Sequence, residues 1–333
     1  MKVRFEKVKP MNMYLSVTHD LYREAALDPQ QGLCCTTTPL WRLPGLSAPP
    51  RMLQMNYGCG STVDPRDLAG EPSILYVGVG GGLEVLQFSY FARRKGAVVG
   101  LDVVDEMLEA CDANLREAEK DNTWFERDFV DLRKGDALGL PIDNETIDVA
   151  AQNCLFNIFH DHELQQALRE MYRVLKPRGR LILSDPVCDT SMPEKLKKDE
   201  RLRALCLTGA LPLADYIKRL TDIGFGTIEV RARRPYRVLS PRHYETAELI
   251  RIESVEVAAI KDPMPADGPC VFTGKTAIYH GDEDFFDDGA GHVLKQNQPL
   301  AVCDKTAAAL TRRGSNEIYV SESTFFYDGG GCC

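Results

Sequence analysis

The chain has 333 residues, 44% of them hydrophobic and 27% charged, with a formal net charge of −9. That is the balance of an ordinary globular protein, long enough for one large domain plus an appendage or for two domains. An acidic chain argues against nucleic acid as the main partner, and no apolar run approaches the roughly 20 residues that span a bilayer. The N-terminus, Met-Lys-Val-Arg-Phe-Glu-Lys, lacks the apolar core of a signal peptide, so a cytoplasmic location is expected. Eleven cysteines are many for such a compartment and suggest thiol chemistry or soft-metal ligation more than structural disulfides.

Asp20–Leu27 reads as a short helix stopped by Asp28-Pro29. Leu33-Cys34-Cys35 and three threonines lead into a Pro-rich segment carrying Trp41, Leu43 and Leu46, which is expected to pack against a body. The turn-rich loop Asn56–Ser61 contains Cys59. Next comes Ile74–Gly82, an apolar run that ends in Gly78, Gly80 and Gly82 and is followed by the amphipathic stretch Leu83–Arg94. This is a strand, a tight turn and a helix whose opening N–H groups face a ligand. Ala97–Asp102 is an apolar strand closed by an acid, and Val104–Lys120 a helix with Cys111 on its apolar side. Further strands are expected within Phe129–Asp136, at Thr146–Asn153 and at Arg180–Asp185, with a helix at His162–Leu175. Short apolar strands alternating with helices predict a parallel sheet covered on both faces, a Rossmann-like α/β fold.

After Pro186, Lys195–Leu207 and Leu213–Gly224 read as two helices around a Gly209-Ala210 break. Thr227–Arg233, Tyr236–Leu239 and Ile252–Ile260 are strand-like, and Pro263–Pro269 marks a boundary. The rest reads as a small, mostly β or α+β domain ending Gly-Gly-Gly-Cys332-Cys333. The expected organisation is an N-terminal segment 1–72 with a helix and cysteine loops, a cofactor-binding domain 73–262, and a C-terminal domain 263–333.

Asp102 follows the glycine loop at the spacing from which an acid reaches ribose hydroxyls, which NAD and S-adenosylmethionine both satisfy. The downstream series Gly135-Asp136-Ala137, Leu140-Pro141, Thr146-Ile147-Asp148-Val149 and Val174-Leu175-Lys176-Pro177-Arg178-Gly179 resembles the ordered motifs of class I S-adenosylmethionine-dependent methyltransferases. The resemblance covers Ile74–Asp185. It implies that Asp102 holds the ribose, that Asp136 and Ala137 contact the adenine, and that Val103 and Asn153 border the same cofactor. One departure is visible: that family places an acid two residues before the first glycine, where this chain has Tyr76.

Cys154 follows the fourth strand at the end that faces the ligand crevice of an open sheet. Cys59 precedes the sheet and Cys206 follows it. Three such thiolates suit a soft, thiophilic ion such as As(III), against the blander reading of cysteine as a small buried hydrophobe. Cys111, Cys188, Cys270 and Cys303 are expected to be structural.

Tyr57-Gly58-Cys59-Gly60, Asn153-Cys154-Leu155-Phe156-Asn157, Leu205-Cys206-Leu207-Thr208-Gly209-Ala210 and Cys34-Cys35 resemble the cysteine motifs of arsenite S-adenosylmethionine methyltransferases, and Phe272–Tyr279 is similar to their C-terminal domain. The ending and the glycine loop look closest to the branch associated with arsenosugar biosynthesis. The resemblance implies that Cys154 and Cys206 hold As(III), with Cys59 as third ligand or exchanging thiol, that Cys34 or Cys35 forms a disulfide with Cys59, and that Tyr57 lies near the sulfonium. The substrate would be arsenite, its thiol adducts or methylarsenite, and thioredoxin or glutathione would recycle the disulfide. Two other readings compete: a class I methyltransferase of a small organic metabolite whose cysteines merely pack, and a metalloid-binding protein without turnover. The adenosyl site argues against the second.

Overall fold

The computed structural model describes residues 13–30, 33, 43–313 and 316–327. Cys34, Cys35, Cys332 and Cys333 lie outside the described residues.

The first helix, α1 (Met13–Leu27), is longer than the expected Asp20–Leu27, and the short α2 (Pro50–Gln54) opens on Pro50, whose missing N–H costs nothing at a first helical turn. Strands and helices then alternate: β1 (Ile74–Val77), α3 (Leu83–Phe91), β2 (Val98–Asp102), α4 (Asp105–Asp121), β3 (Val130–Lys134), β4 (Ile147–Asn153), α5 (Asp161–Val174) and β5 (Leu175–Cys188). All four residues of β1 are buried, as a strand covered on both faces requires. β1 pairs in parallel with β2 on one side, Ile74 opposite Val98, and with β4 on the other, Ile74 opposite Val149. The chain therefore reverses its direction of travel across the sheet at β1 and β4. Such a switch point opens a crevice at the carboxyl ends of the strands, where ligands bind.

Beyond β5 come α6 (Glu194–Lys197), α7 (Glu200–Ala204), β6 (Leu211–Pro212), α8 (Leu213–Ile223), β7 (Thr227–Leu239), α9 (Pro241–Tyr244) and β8 (Ile250–Ile260). The single helix expected over Lys195–Leu207 is two short ones. Asp199 restarts the helix by accepting the Leu202 N–H at 2.9 Å, a capping geometry that a continuing helix does not use. The two strand-like runs after Gly226 are one strand, β7, whose register slips between Val230 and Ala232 and again between Pro235 and Arg237. Pro235 brings no N–H to the ladder, so a slip beside it is where such a strand tolerates it.

The large sheet runs β3-β2-β1-β4-β5-β8-β7-β9, where β9 is Cys270–Phe272, and β6 pairs with the end of β5. The expected parallel arrangement holds for β1–β5, and the sheet is extended by β8, which runs antiparallel to both β5 and β7. The segment between β7 and β8 is too short for a parallel crossover, so β8 folds back beside its predecessor.

The remaining strands, β10 (Lys275–Tyr279), β11 (Phe285–Asp287), β12 (Val293–Lys295), β13 (Pro299–Val302) and β14 (Ile318–Val320), form a three-stranded sheet β13-β10-β14 and the hairpin β11-β12. With α10 (Asp304–Arg312) they enclose a small core of Ala277, Tyr279, Leu294, Val302 and Leu310. The main core includes Phe88, Phe156, Met107, Leu115 and Met171, each contributing about 1.5–3 kcal/mol by burial. Residues ahead of the sheet are tied in by charge. Asp67 accepts from Arg180 of β5 at 2.5 Å and from Arg231 of β7 through both oxygens.

Candidate active site

The glycine loop leaves β1 with Gly78, Gly80 and Gly82 at φ +82°, +51° and +89°. These are left-handed values that side chains resist, which is why glycine occupies all three. Gly81 is kept bare for another reason: a Cβ there would stand 2.6 Å from the Met55 Cβ, just past α2. The Gly81 N–H donates to the Met55 carbonyl at 3.3 Å, and Asn114 of α4 donates to the Gly81 carbonyl at 2.9 Å. The loop is thus clamped from both sides before any ligand arrives.

The Asp102 carboxylate closes β2 and accepts the Val79 N–H at 3.1 Å and the Val104 N–H at 3.0 Å. Burial lifts its pKa to about 6, against the pull of those N–H groups and of nearby His19. An ionised carboxylate has acceptor sites to spare after two such bonds, so Asp102 can still take ribose hydroxyls. Asp136 accepts the Leu138 N–H at 2.9 Å, and Ala137 beside it is buried.

These groups border one cavity that encloses about 1110 Å³ of empty space, its open mouth included, the scale of a site for a nucleoside-sized ligand. Of the residues expected at the cofactor, Tyr57, Gly78, Gly80, Asp102, Val103, Asp136, Ala137 and Asn153 border it. Gly82 does not; it opens α3 behind the loop, where a Cβ would meet the Cys111 sulfur at 2.8 Å. Cys111 itself is fully buried, as expected of a core residue. The bare glycine cradle and the spare acceptors of Asp102 fit an adenosyl group.

Sequence reasoning missed two contributions. Helix α1 lays Leu15, His19 and Tyr22 along the cavity, and Tyr57 ties that helix down by donating from its hydroxyl to the Ala25 carbonyl at 3.2 Å. Glu84 of α3 is the second. It is 5% exposed, borders the cavity, and accepts the Tyr76 hydroxyl at 2.5 Å, the Thr62 N–H at 2.7 Å and the Asn153 amide at 3.1 Å. The acid absent from position 76 therefore enters from the helix, hydrogen-bonded to the tyrosine that replaced it. Burial pushes the pKa of Glu84 up, and burial together with the Glu84 charge pushes that of Tyr76 well up. An acid two residues after the last glycine, on an otherwise apolar helix face, was the signal available.

Cys154 borders the same cavity from the end of β4 and is 3% exposed. Its N–H donates to the Ser184 carbonyl at 2.7 Å. Cys206, after α7, is fully buried, and its thiol donates to the Cys154 carbonyl at 2.7 Å. The approach depends on Gly209: a Cβ there would overlap the Asn157 carbonyl oxygen at 1.8 Å, so the loops 155–159 and 205–210 lie backbone on backbone. Cys59 is held from the other side. Its N–H donates to the Asn153 side chain at 3.0 Å and its sulfur lies 3.4 Å from the Ser184 hydroxyl. Cys59 and Cys206 do not border the cavity. Among the described residues, no group of three or more His, Cys, Asp or Glu side chains forms a ready-made metal site.

Cys154 and Cys206 share one unusual property, φ values of +59° and +57°. For a residue with a Cβ the left-handed region costs about 1–3 kcal/mol, and such residues gather at functional sites. The other cysteines expected to be structural are buried: Cys188 donates to the Ala210 carbonyl at 3.1 Å and burial pushes its pKa to about 12, while Cys270 and Cys303 lie in a small apolar cluster with Phe272 and Tyr327.

Residues 75–183 match the family model described as a methyltransferase domain. The arsenite methyltransferase of Mus musculus is 29% identical over 76% of this chain and 67% of its own length. Among solved structures, an arsenic (III) S-adenosylmethionine methyltransferase from Chlamydomonas reinhardtii has the same fold, with a TM-score of 0.59 at 20% identity over 89% of this chain and 99% of that one. The arsenite methyltransferase of Aquipseudomonas alcaligenes is 33% identical over 76% of this chain and 73% of its own length. With identity at that level over most of both sequences, the chain belongs to the arsenite methyltransferase family of S-adenosylmethionine-dependent enzymes.

Proposed function

We propose that this methyltransferase moves a methyl group to trivalent arsenic held by the thiolates of Cys154 and Cys206, with Cys59 as third ligand or exchanging thiol. The observation that carries the reading is the meeting of two strained cysteines at the cofactor cavity: Cys154 borders it, and the Cys206 thiol rests 2.7 Å from the Cys154 carbonyl. When bound, S-adenosylmethionine supplies an electrophilic methyl group, for which the lone pair of thiolate-bound As(III) is a suitable acceptor. The glycine loop, Asp102, Asp136 and Ala137 would hold the adenosine portion. Glu84, oriented by Tyr76, would place a buried carboxylate where the family's usual acid is absent.

Each As–S bond formed from arsenite breaks an As–O bond, and the thiol proton leaves with that oxygen as water. Cys206 must then release its hydrogen bond to the Cys154 carbonyl, and Cys59 its contact with Ser184. The pocket is therefore assembled by the substrate, in keeping with the lack of a preformed three-sulfur cage among the described residues. Accepting the methyl would formally take arsenic from III to V; Cys59 with Cys34 or Cys35 would return it to III by giving up two electrons as a disulfide, which a thiol reductant, thioredoxin or glutathione, would recycle. The ending Gly-Gly-Gly-Cys-Cys supports a place in organoarsenical, arsenosugar-type synthesis.

The test is to incubate the protein with arsenite, S-adenosylmethionine and a thiol and to speciate the arsenic. Methylarsenicals are expected from the wild type and none from Cys154→Ser or Cys206→Ser, while both variants keep affinity for S-adenosylhomocysteine. Full activity in both variants would sink the thiolate mechanism, and arsenite binding without methyl transfer in the wild type would favour sequestration.

A further inference from the structure

Asp185 interrupts the buried stretch Leu181–Cys188 of β5 as a fully buried acid that no step above uses. Its Oδ2 accepts the Gln152 amide at 2.5 Å and the Tyr216 hydroxyl at 2.6 Å. Gln152 is fully buried and Tyr216 is 3% exposed. At its other end the Gln152 Oε1 accepts the Leu155 N–H at 2.7 Å. A chain of polar contacts thus runs from Tyr216 in α8, through Asp185 in β5 and Gln152 in β4, to the backbone just after Cys154. The turn it closes is the one that holds Cys154 at φ +59°.

The order of donors and acceptors is dictated. A backbone N–H only donates, so Leu155 takes the carbonyl oxygen of Gln152 and leaves the NH₂ side for a carboxylate oxygen of Asp185. Tyr216 donates to the same carboxylate, and burial followed by that charge keeps its hydroxyl protonated. A buried acid is expensive, and apolar residues of similar volume usually fill such a place at lower cost. The acid does something an apolar residue cannot: it decides which way the Gln152 amide faces. The neighbour Ser184 works on the same turn, accepting the Cys154 N–H at its carbonyl and touching Cys59 with its hydroxyl.

We propose that Gln152, Asp185 and Tyr216 are positioning residues that lock the Cys154 turn in the form that takes arsenic. This rests on the reading that Cys154 is an arsenic ligand. None of the three borders the cofactor cavity, so their removal is expected to separate arsenic recognition from cofactor binding.

The experiment uses the full chain. Tyr216→Phe removes one hydroxyl, and Gln152→Glu keeps the shape while facing the Asp185 carboxylate with a second acceptor in place of a donor. Each is expected to raise the arsenite KM about tenfold, the scale of a lost hydrogen bond to a charged group. The Kd for S-adenosylhomocysteine is expected to stay within about twofold, the limit for sites that do not share partners. The pair Gln152→Glu with Asp185→Asn restores the donor-acceptor pattern with the charge moved one residue along. The amide at 185 then donates to the carboxylate at 152, whose other oxygen still accepts Leu155. This double variant is expected to recover most of the arsenite KM lost in Gln152→Glu, which simple filling of space does not predict. Wild-type arsenite KM in Tyr216→Phe and Gln152→Glu, or parallel loss of cofactor affinity, or no recovery in the double variant, would overturn the proposal. Cys154→Ser is the control that keeps the two readings apart. Arsenic retained by it after gel filtration overturns the thiolate site, whereas arsenic lost by it beside a wild-type KM in Tyr216→Phe overturns the brace alone.

Discussion

Lowering the pH from about 7 to about 5 should weaken cofactor binding about tenfold, and one carboxylate should account for it. Asp102 has its pKa raised to about 6 by burial, against about 3.9 for an exposed aspartate. Ribose hydroxyls donate to its ionised form. If only that form binds, the apparent Kd grows by the factor 1 + 10^(6−pH), about 1.1 at pH 7 and about 11 at pH 5. The sign for the empty protein is the opposite. The folded chain holds a proton that the unfolded chain has lost, so stability at this site falls as pH rises from about 4 to about 6. Ligand binding then drives that proton off. Titration calorimetry with S-adenosylhomocysteine in buffers of different ionisation enthalpy reads both the affinity and the proton release. Other ionisable groups border the cavity, among them His19 from α1, Glu84 of α3 and Asp136 after β3, so Glu84→Gln, which should leave the slope in place, is the companion control. Asp102→Asn should bind weakly with a flat profile, while His19→Gln should keep the slope and shift its midpoint upward, because the His19 charge lowers the Asp102 pKa. A flat wild-type profile, or an undiminished slope in Asp102→Asn, would refute the reasoning.

Two further substitutions test the packing that delivers the site. Gly209→Ala puts a methyl 1.8 Å from the Asn157 carbonyl oxygen, so it should cost about 3 kcal/mol or more in urea denaturation and raise the arsenite KM, and a wild-type midpoint would show that the two loops separate without cost. Arg231→Met strips one partner from Asp67, whose side chain is 1% exposed and which keeps Arg180; a loss of about 1.5–3 kcal/mol is expected, relieved in part by adding Asp67→Asn, and equal stability of all three proteins would contradict a load carried by that ion pair.

The opening β1–glycine loop–α3 unit was legible because what makes it is local, an apolar run, glycines at alternate positions and a helical stretch; the helix is not amphipathic as expected, since Leu83–Ser89 are buried on every side. The cysteines were legible as a set of soft ligands, but not the backbone that holds them. Nothing in the residue type of Cys154 or Cys206 announces a left-handed φ; Gln152 and the Gly209 contact impose it from elsewhere. Glu84 was hidden for a related reason. An acid on a helix reads as a solvated face until the fold buries it against Tyr76, Thr62 and Asn153. The share of the cavity built by α1 depends on how that helix lies across the sheet, which its own weak periodicity does not specify. The direction of β8 was not legible because strand composition records burial and not polarity; connection length settles polarity, and Pro235 disguised β7 as two pieces.

Strand β9 pairs in parallel with the outer edge of β7, Thr227 opposite Cys270 and Glu229 opposite Phe272. It lies beyond the Pro-rich stretch at which the sequence invites a cut. A protein truncated at residue 262 would keep every group proposed to touch cofactor or arsenic, yet it would bare the peptide groups of β7 along a hydrophobic sheet margin. Such a margin recruits strands from other molecules. Shortened versions made for crystallisation should therefore end after Phe272 or carry a charged residue at the partly exposed Thr227; otherwise self-association will be mistaken for a property of the enzyme.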